Sequence, residues 1–312
     1  MKDLKVVFMG TPLYSVPVLE MLIENTNVVG VVTQPDKAIG RKKILTPCPV
    51  KELALKNSIK VFSPNSIKED YQEILSLNPD IIITCAYGQI IPEEVIYFPK
   101  YDTVNVHASL LPSYRGGAPI QRAIMNGEKE MGVTIMYTDK GMDSGDIIKS
   151  NSFLVDDNDT YDVISEKMSK MGAELLLDVL PSIIDGTCTR EKQDSSLVSF
   201  APVIKREDEH IDFNNSSLSI HNKIRGLSSV PGAYAILDNM NVKIFLSSLE
   251  DCKATSMDCG TITRISKDAI FVACNDREIK IVEIQIPGKK RIKVRDYLNG
   301  IRKEDLIGKK FI

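Results

Sequence analysis

Asn105 and His107 stand two residues apart in a run that alternates apolar and polar residues (103–108, Thr-Val-Asn-Val-His-Ala), so on a strand both side chains leave the same face. An amide N–H can donate to an oxygen that is gaining negative charge, and an imidazole can give or take a proton near neutral pH. A third polar group, Asp143 of Met142-Asp143-Ser144-Gly145, supplies a carboxylate of the kind that orients an imidazole. The set suits attack of an amine on a carbonyl. Taken singly, His107 reads equally as a satisfied structural residue at a strand end, and Asp143 as a turn-forming aspartate before Ser-Gly. Of the three histidines, His210 and His221 lie in a polar later region, which leaves His107 as the candidate for proton transfer.

The elements that must position these groups follow from periodicity. Strands are expected at 4–9, 28–33, 60–63, 80–85, 103–108 and 132–138, with helices at 15–25, 49–57, 67–77 and 117–126 between them. That alternation predicts a doubly wound, Rossmann-like parallel α/β sheet. A longer helix over 160–185 would place Val163, Ile164, Met168, Met171, Leu175, Leu176, Val179 and Ile183 on one broad apolar face. Ligands of such sheets bind beyond the carboxyl ends of the strands, where both Asn105-x-His107 and the 139–143 turn fall. Gly10-Thr11-Pro12 after the first strand lacks the glycine pattern and the Lys-Ser/Thr of a nucleotide cradle.

A polar stretch at 195–215 reads as a linker. Beyond it, apolar runs at 233–237, 242–246, 260–265, 269–273 and 279–284 have the spacing of a small antiparallel barrel. At 312 residues the chain has room for two cores, and the division is set at 1–205 and 206–312.

No apolar run approaches the roughly 18 residues of a membrane span. The start runs straight into a strand pattern without a signal-peptide core, so a cytoplasmic location is expected. The six cysteines form no Cys-x-x-Cys pair and sit mostly among apolar neighbours, which favours buried reduced thiols over a metal site or a disulfide framework. Net charge is −3, but residues 285–312 hold nine Lys/Arg against three acids, leaving −9 on the rest. Such a +6 segment is either a footprint for a polyanion or a solvated basic face.

Asn105-x-His107, the run Ser109-Leu110-Leu111-Pro112-Ser113-Tyr114-Arg115-Gly116 and Asp143-x-Gly145 resemble the motifs of the folate-dependent formyltransferases. Within that family, Val6-Val7-Phe8-Met9-Gly10-Thr11-Pro12, Thr33-Gln34-Pro35-Asp36 ahead of a basic loop, and Pro231-Gly232-Ala233 resemble the branch that acts on methionyl-tRNA. The resemblance spans essentially the whole chain. It departs at Ser229-Val230, where the family often carries a tryptophan before Pro-Gly; this chain has no tryptophan.

The resemblance implies transfer of a formyl group from 10-formyltetrahydrofolate to the α-amino group of methionine on initiator tRNA, for translation initiation. It assigns the developing oxyanion to Asn105 and His107, and to Asp143 the orientation of His107 and the movement of the released proton. The donor would lie against Ser109, Leu110, Leu111 and Pro112, and against the loop holding Tyr87, Gly88, Gln89 and Ile90, because a flat pterin needs apolar walls and edge-on backbone hydrogen bonds. That loop reads equally as a plain strand-to-helix connection. Arg115 and Gly116 would line the cleft. The basic loop at 35–47 would meet the tRNA acceptor end through Arg41, Lys42 and Lys43, although by charge alone it is a solvated surface loop. An OB-like C-terminal barrel would hold tRNA, with Lys289, Lys290 and Arg291 touching it. Expected partners are initiator methionyl-tRNA and the folate donor, with no membrane, no stable protein partner and a monomeric state. Rival readings are a formyltransferase acting on a small amine (a ribonucleotide or an amino sugar), a formyltetrahydrofolate hydrolase, and a non-catalytic tRNA-binding module. Fold alone does not choose among them.

Overall fold

The chain's most continuous apolar runs become the middle of a seven-stranded sheet. In the computed structural model, which describes residues 1–39 and 43–312, the strands of the first half are β1 (Lys5–Gly10), β2 (Asn27–Val32), β3 (Lys37–Ile39), β4 (Ile44–Thr46), β5 (Val61–Phe62), β6 (Ile81–Cys85), β7 (Thr103–His107), β8 (Glu130–Tyr137) and β9 (Ile147–Leu154). The large sheet runs β5-β2-β1-β6-β7-β8-β9. β1 and β6 are buried along almost their whole length, as parallel strands covered on both faces must be, and each is built on an apolar run, Val-Val-Phe-Met in β1 and Ile-Ile-Ile in β6. Pairing is parallel from β5 through β7. The sheet then turns mixed: β7 meets β8 antiparallel, and β9 returns beside β8, with Tyr137 N donating to the Asp146 carbonyl. The expected α/β sheet is thus present, with its parallel strands followed by an antiparallel edge. β9 escapes sequence reading because it is an edge strand with mostly exposed side chains and shows no apolar run.

Helices α1 (Val16–Asn25), α2 (Pro49–Lys56), α3 (Gln72–Leu75), α4 (Glu93–Ile96), α5 (Pro119–Met125) and α6 (Tyr161–Asp185) connect and follow these strands. α3 is one turn instead of the helix expected over 67–77. The Ile67 amide there is held by Gln89 Oε1 at 2.8 Å, not by a helical carbonyl. On α6 the expected apolar face is real except at Val163, which is 52% exposed while its neighbour Ile164 is fully buried. The basic segment expected as a loop is instead flanked by a separate antiparallel hairpin of β3 and β4. An ion pair of Asp36 with Lys51 at 2.8 Å lies beside its base.

Two compact units emerge. One comprises Met1–Pro119, Glu130–Phe153 and Ser165–Pro202; the other comprises Ile120–Lys129, Leu154–Ile164 and Val203–Ile312. The second is built on α7 (Ser217–Leu227) and strands β10 (Ala233–Leu237), β11 (Met240–Ser248), β12 (Ile262–Ile265), β13 (Ile270–Ala273), β14 (Glu278–Gln285) and β15 (Ile292–Lys293). Its antiparallel path is β10-β11-β14-β13-β12, with β15 paired to β14. Residues 308–312 close the ring. Ile236 and Ile312 exchange both backbone hydrogen bonds on the β10 side, while Ile262 N donates to Lys309 O and Phe311 N to Gly260 O on the β12 side. The expected barrel is therefore present, closed by a tail and not by two neighbouring strands. α7 is a helix beyond those expected, although Ser216 caps it by accepting from Ser219 N and Ile220, Ile224 and Leu227 repeat at helical spacing on its buried side. The 195–215 stretch is also less of a linker than its polarity suggests: Phe200 pairs with Arg115 through the backbone, and Ile211 and Phe213 enter the barrel core.

His221 on α7 is buried, and its Nδ1 lies 2.9 Å from Ser247 Oγ while Nε2 lies 3.0 Å from the Asp157 carbonyl. The carbonyl requires a proton on Nε2, so Nδ1 is left to accept from the hydroxyl. Burial pushes this imidazole below its ordinary range; the Asp157 carbonyl opposes that, and the nearby Arg225 charge adds to it. A folded-state value lowered in this way means the unfolded chain binds the extra proton. The contribution to stability is complete above about pH 6.5 and is lost as pH falls from there toward the folded value. Urea midpoints at pH 7.5 and 5.5 should therefore differ more for the parent than for His221→Gln; equal differences would count against this account.

Candidate functional site

The site forms at the carboxyl ends of β6 and β7. β7 projects Asn105 and His107 to one side, and its register sets Thr84 of β6 directly beside Asn105. The Thr84 hydroxyl donates to Asn105 Oδ1 at 2.8 Å, which fixes the amide and turns its Nδ2 toward Asp143. Asn105 Nδ2 and His107 Nδ1 lie 3.5 and 3.6 Å from one atom, Asp143 Oδ1. Both separations are longer than a strong hydrogen bond. The other ring nitrogen of His107, Nε2, faces the Tyr114 carbonyl at 3.1 Å. The imidazole is almost wholly buried, whereas the Asp143 carboxylate keeps about a fifth of its surface exposed.

Asp143 sits on a left-handed turn (φ 47°) between β8 and β9. Its Oδ2 accepts from Gly116 N at 2.9 Å. Gly116 has φ 123°, and a side chain there would press on the Ala201 carbonyl, so this turn demands glycine. At Gly145 a Cβ would collide with the Tyr137 carbonyl. Gln193 Nε2 donates to the carbonyls of Asp143 and Gly145 at 2.9 and 2.8 Å, and Gln193 Oε1 accepts from Arg115 Nε and Nη2 at 3.0 and 2.7 Å. Gly116, expected to line the cleft, meets Asp143 through its amide, whereas Thr84, Tyr114 through its carbonyl, and Gln193 are the site residues that sequence reasoning does not find. Thr84 is within reach, since aligning the strands at 80–85 and 103–108 puts it next to Asn105. Gln193 carries no local signal, because it arrives from an irregular segment 50 residues downstream of Asp143.

The Ser109–Pro112 segment is held in shape by Thr134, whose hydroxyl donates to Ser109 O at 2.7 Å and accepts from Leu111 N at 3.1 Å. Ser109 Oγ donates to Ser113 O at 2.6 Å. Leu111 is buried, while Leu110 and Pro112 are half-buried. In the loop after β6, the Tyr87 side chain packs inward with Val7, Met9 and Val32, and burial raises its phenol to about 12. Its carbonyl accepts from Thr11 Oγ1 and Gln34 Nε2 at 3.1 and 3.2 Å. Gln89 spans back to Ile67 N and Pro64 O. Gly88 has φ 87°, and Ile90 is 70% exposed. Of the basic residues expected to meet a polyanion, Arg41 and Lys42 lie outside the described residues, and Lys43 is exposed. In the second unit Lys289 and Lys290 are exposed, while Arg291 pairs with Glu283 at 2.6 Å and stacks over Phe245.

The three polar groups singled out from the sequence meet in the fold, the Asn105 amide and the His107 imidazole lying 3.5 and 3.6 Å from one oxygen of the Asp143 carboxylate. Comparison with known proteins points the same way. Residues 4–180 match the formyl transferase family and residues 203–302 its C-terminal domain. The chain is 47% identical over 308 residues to a methionyl-tRNA formyltransferase of Staphylococcus epidermidis, covering 98% of each chain. It is 45% identical over 311 residues to that of Staphylococcus aureus, covering 99% of each. Among solved structures, a sugar 3N-formyl transferase crystallised with dTDP and 5-N-formyl-THF shares the fold at TM-score 0.65 and 24% identity, over 93% of this chain and all of that one. The methionyl-tRNA formyltransferase from Clostridium thermocellum does so at TM-score 0.56 and 17% identity, over 80% of this chain and 94% of that one.

Proposed function

The chain belongs to the methionyl-tRNA formyltransferases of the formyl transferase family, and from that premise we propose that residues 1–205 carry the catalytic site on Asn105, His107 and Asp143, while residues 206–312 hold the tRNA. The enzyme transfers a formyl group to methionyl-tRNA, with 10-formyltetrahydrofolate as the donor. The observation that carries the site reading is the convergence of Asn105 Nδ2 and His107 Nδ1 on a single oxygen, at 3.5 and 3.6 Å.

When bound, the donor supplies a formyl carbon on nitrogen that an amine can attack. The residues present fit it: Leu110, Pro112 and Ile90 keep apolar surface partly or largely exposed, as a flat ring needs, and Asn105 and His107 supply polar groups. Ser109 and Leu111 shape that wall through Thr134. Tyr87, Gly88 and Gln89 act through the path of their loop, since the Tyr87 ring is committed to the core. Asn105, its amide fixed by Thr84, and His107 hold the carbonyl oxygen as it gains charge. Asp143 orients His107 and receives the proton released by the attacking amine. As the new C–N bond forms and the donor's C–N bond breaks, that proton passes to the departing nitrogen.

The acceptor is initiator methionyl-tRNA, engaged by Arg41, Lys42 and Lys43 at its acceptor end and by Lys289, Lys290 and Arg291 through its backbone. Action as a monomer is part of the same reading, and the size of the enzyme in solution tests it. No helix among the described residues is long and apolar enough to cross a membrane, and a cytoplasmic location follows from the tRNA substrate. The test is formyl transfer from the folate donor to charged initiator tRNA, charged elongator tRNA and free small amines, with the initiator species strongly preferred. In the same assay, alanine at Arg41, Lys42 and Lys43 together should raise KM for tRNA and flatten its salt dependence by about 0.7 to 0.9 in log–log slope for each phosphate no longer neutralised, with donor KM unchanged. Efficient use of a free amine overturns the substrate assignment, and equal loss of donor and tRNA affinity in the triple variant removes the loop's role.

A further inference from the structure

We propose that Gln193 is a positioning residue for Asp143, its amide tying the turn that carries the carboxylate to the turn that carries the carboxylate's partners. The proposal deepens the reading of Asn105, His107 and Asp143 as the reacting site and rests on it.

Asp143 is held in a backbone conformation uncommon for a residue with a side chain (φ 47°), in an irregular connection between two antiparallel strands. Something outside the turn must hold it there. Two carbonyls of the turn, at 143 and 145, are each met by the Gln193 Nε2 amide group at 2.9 and 2.8 Å. The same side chain's oxygen accepts both Nε and Nη2 of Arg115. Arg115 is itself pinned, donating its backbone N–H to Ser199 O and accepting from Ala201 N at 2.9 and 2.7 Å. Its chain neighbours are the groups that meet the reacting residues: the Tyr114 carbonyl faces His107 Nε2, and Gly116 N donates to Asp143 Oδ2. One side chain therefore connects the support of the imidazole to the support of the carboxylate. At Gly145 the Tyr137 carbonyl leaves no room for a side chain, so the turn is packed against the end of β8 as well as tied by Gln193.

The chemistry selects glutamine. Only a primary amide both donates twice and accepts a guanidinium fork; glutamate at this length would keep the Arg115 pairing but turn an acceptor toward two carbonyls. Arg115, expected from its motif to line the cleft, acts here as the anchor for that amide.

The test uses Gln193→Met, which keeps chain length and volume while removing every hydrogen bond, alongside Gln193→Glu, Asp143→Asn and the double variant Asp143→Asn with Gln193→Met, all in the full chain. Both Gln193 variants should lose about ten- to a hundredfold in kcat, the scale of a small misplacement of a reacting group, with KM for donor and tRNA within about twofold of the parent. If Gln193 acts through Asp143, the double variant should be no slower than Asp143→Asn alone, because residues that act as a unit are not additive. An inactive Asp143→Asn beside a Gln193→Met of parental kcat overturns the proposal, as do losses that multiply in the double variant or a loss that falls on KM. Parental turnover in Asp143→Asn would instead bring down the site reading beneath it.

Discussion

Alanine at His107 is expected to lower turnover by about two to four powers of ten, the range for losing a general acid–base group, and alanine at Asn105 by about two to three, the range for losing one donor to a developing oxyanion. The two should differ in character. Asn105→Ala removes an amide whose orientation is already set by Thr84 at 2.8 Å. The catalytic advantage that disappears is then that of a donor needing no reorganisation during the reaction. His107→Ala removes the group lying between the Asp143 carboxylate and the Tyr114 carbonyl. Proton transfer and oxygen stabilisation go together. Neither side chain belongs to the large apolar core, and the hydrogen-bond partners left behind cost about 1–3 kcal/mol, so the variants should fold. Single-turnover formylation with saturating donor and charged tRNA separates chemistry from binding. Near-parental rates in either folded variant would falsify the assignment.

A second large effect is expected in the barrel. Phe311 is 3% exposed and packs near Phe213 at a ring separation of 5.8 Å, inside the segment whose backbone joins β10 to β12. Truncating a buried phenylalanine to alanine costs about 3–5 kcal/mol. That is a large share of the roughly 5–15 kcal/mol by which a domain is stable. Here the loss falls on the closure itself, so opening should be local to the seam. Hydrogen exchange in Phe311→Ala should accelerate at the Ile236 and Ile262 amides, whose acceptors are Ile312 O and Lys309 O, while Val7 and Ile82 in the first unit keep their protection. Unchanged protection at Ile236 and Ile262 would show that the ring holds without its tail.

What is legible in the sequence tracks how strongly burial acts on each segment. β1 and β6 sit inside the sheet and admit no polar face, so composition locates them, whereas β7 is located by its alternation of apolar and polar residues. β9 carries one buried residue in eight, so no period survives to be read. The hairpin of β3 and β4 has Ile44 and Leu45 largely exposed, and its pairing obeys register instead of an apolar rule. The same contrast divides the site. Asn105 and His107 are two residues apart on one strand, and a period of two suffices to place them together. Their supports come from elsewhere: Thr84 by strand register, Gly116 by a turn, and Gln193 by a loop. Such residues are joined by hydrogen bonds across sequence distance, and those leave no local pattern.

The second unit is not continuous in the chain: it takes in Ile120–Lys129 and Leu154–Ile164 as well as everything from Val203 onward. Synthesis runs in one direction, so the earlier pieces leave the ribosome before the barrel they belong to exists. More than seventy residues separate Lys129 from Val203, which at about 5–20 residues per second is a wait of roughly four to fifteen seconds. During that interval Arg122 lacks Asp208, its ion-pair partner at 2.7 Å, and Met125 lacks the apolar cluster it packs against. The nascent chain thus passes through a stage with orphaned segments exposed, a window in which chaperone binding or misassembly competes with completion of the fold.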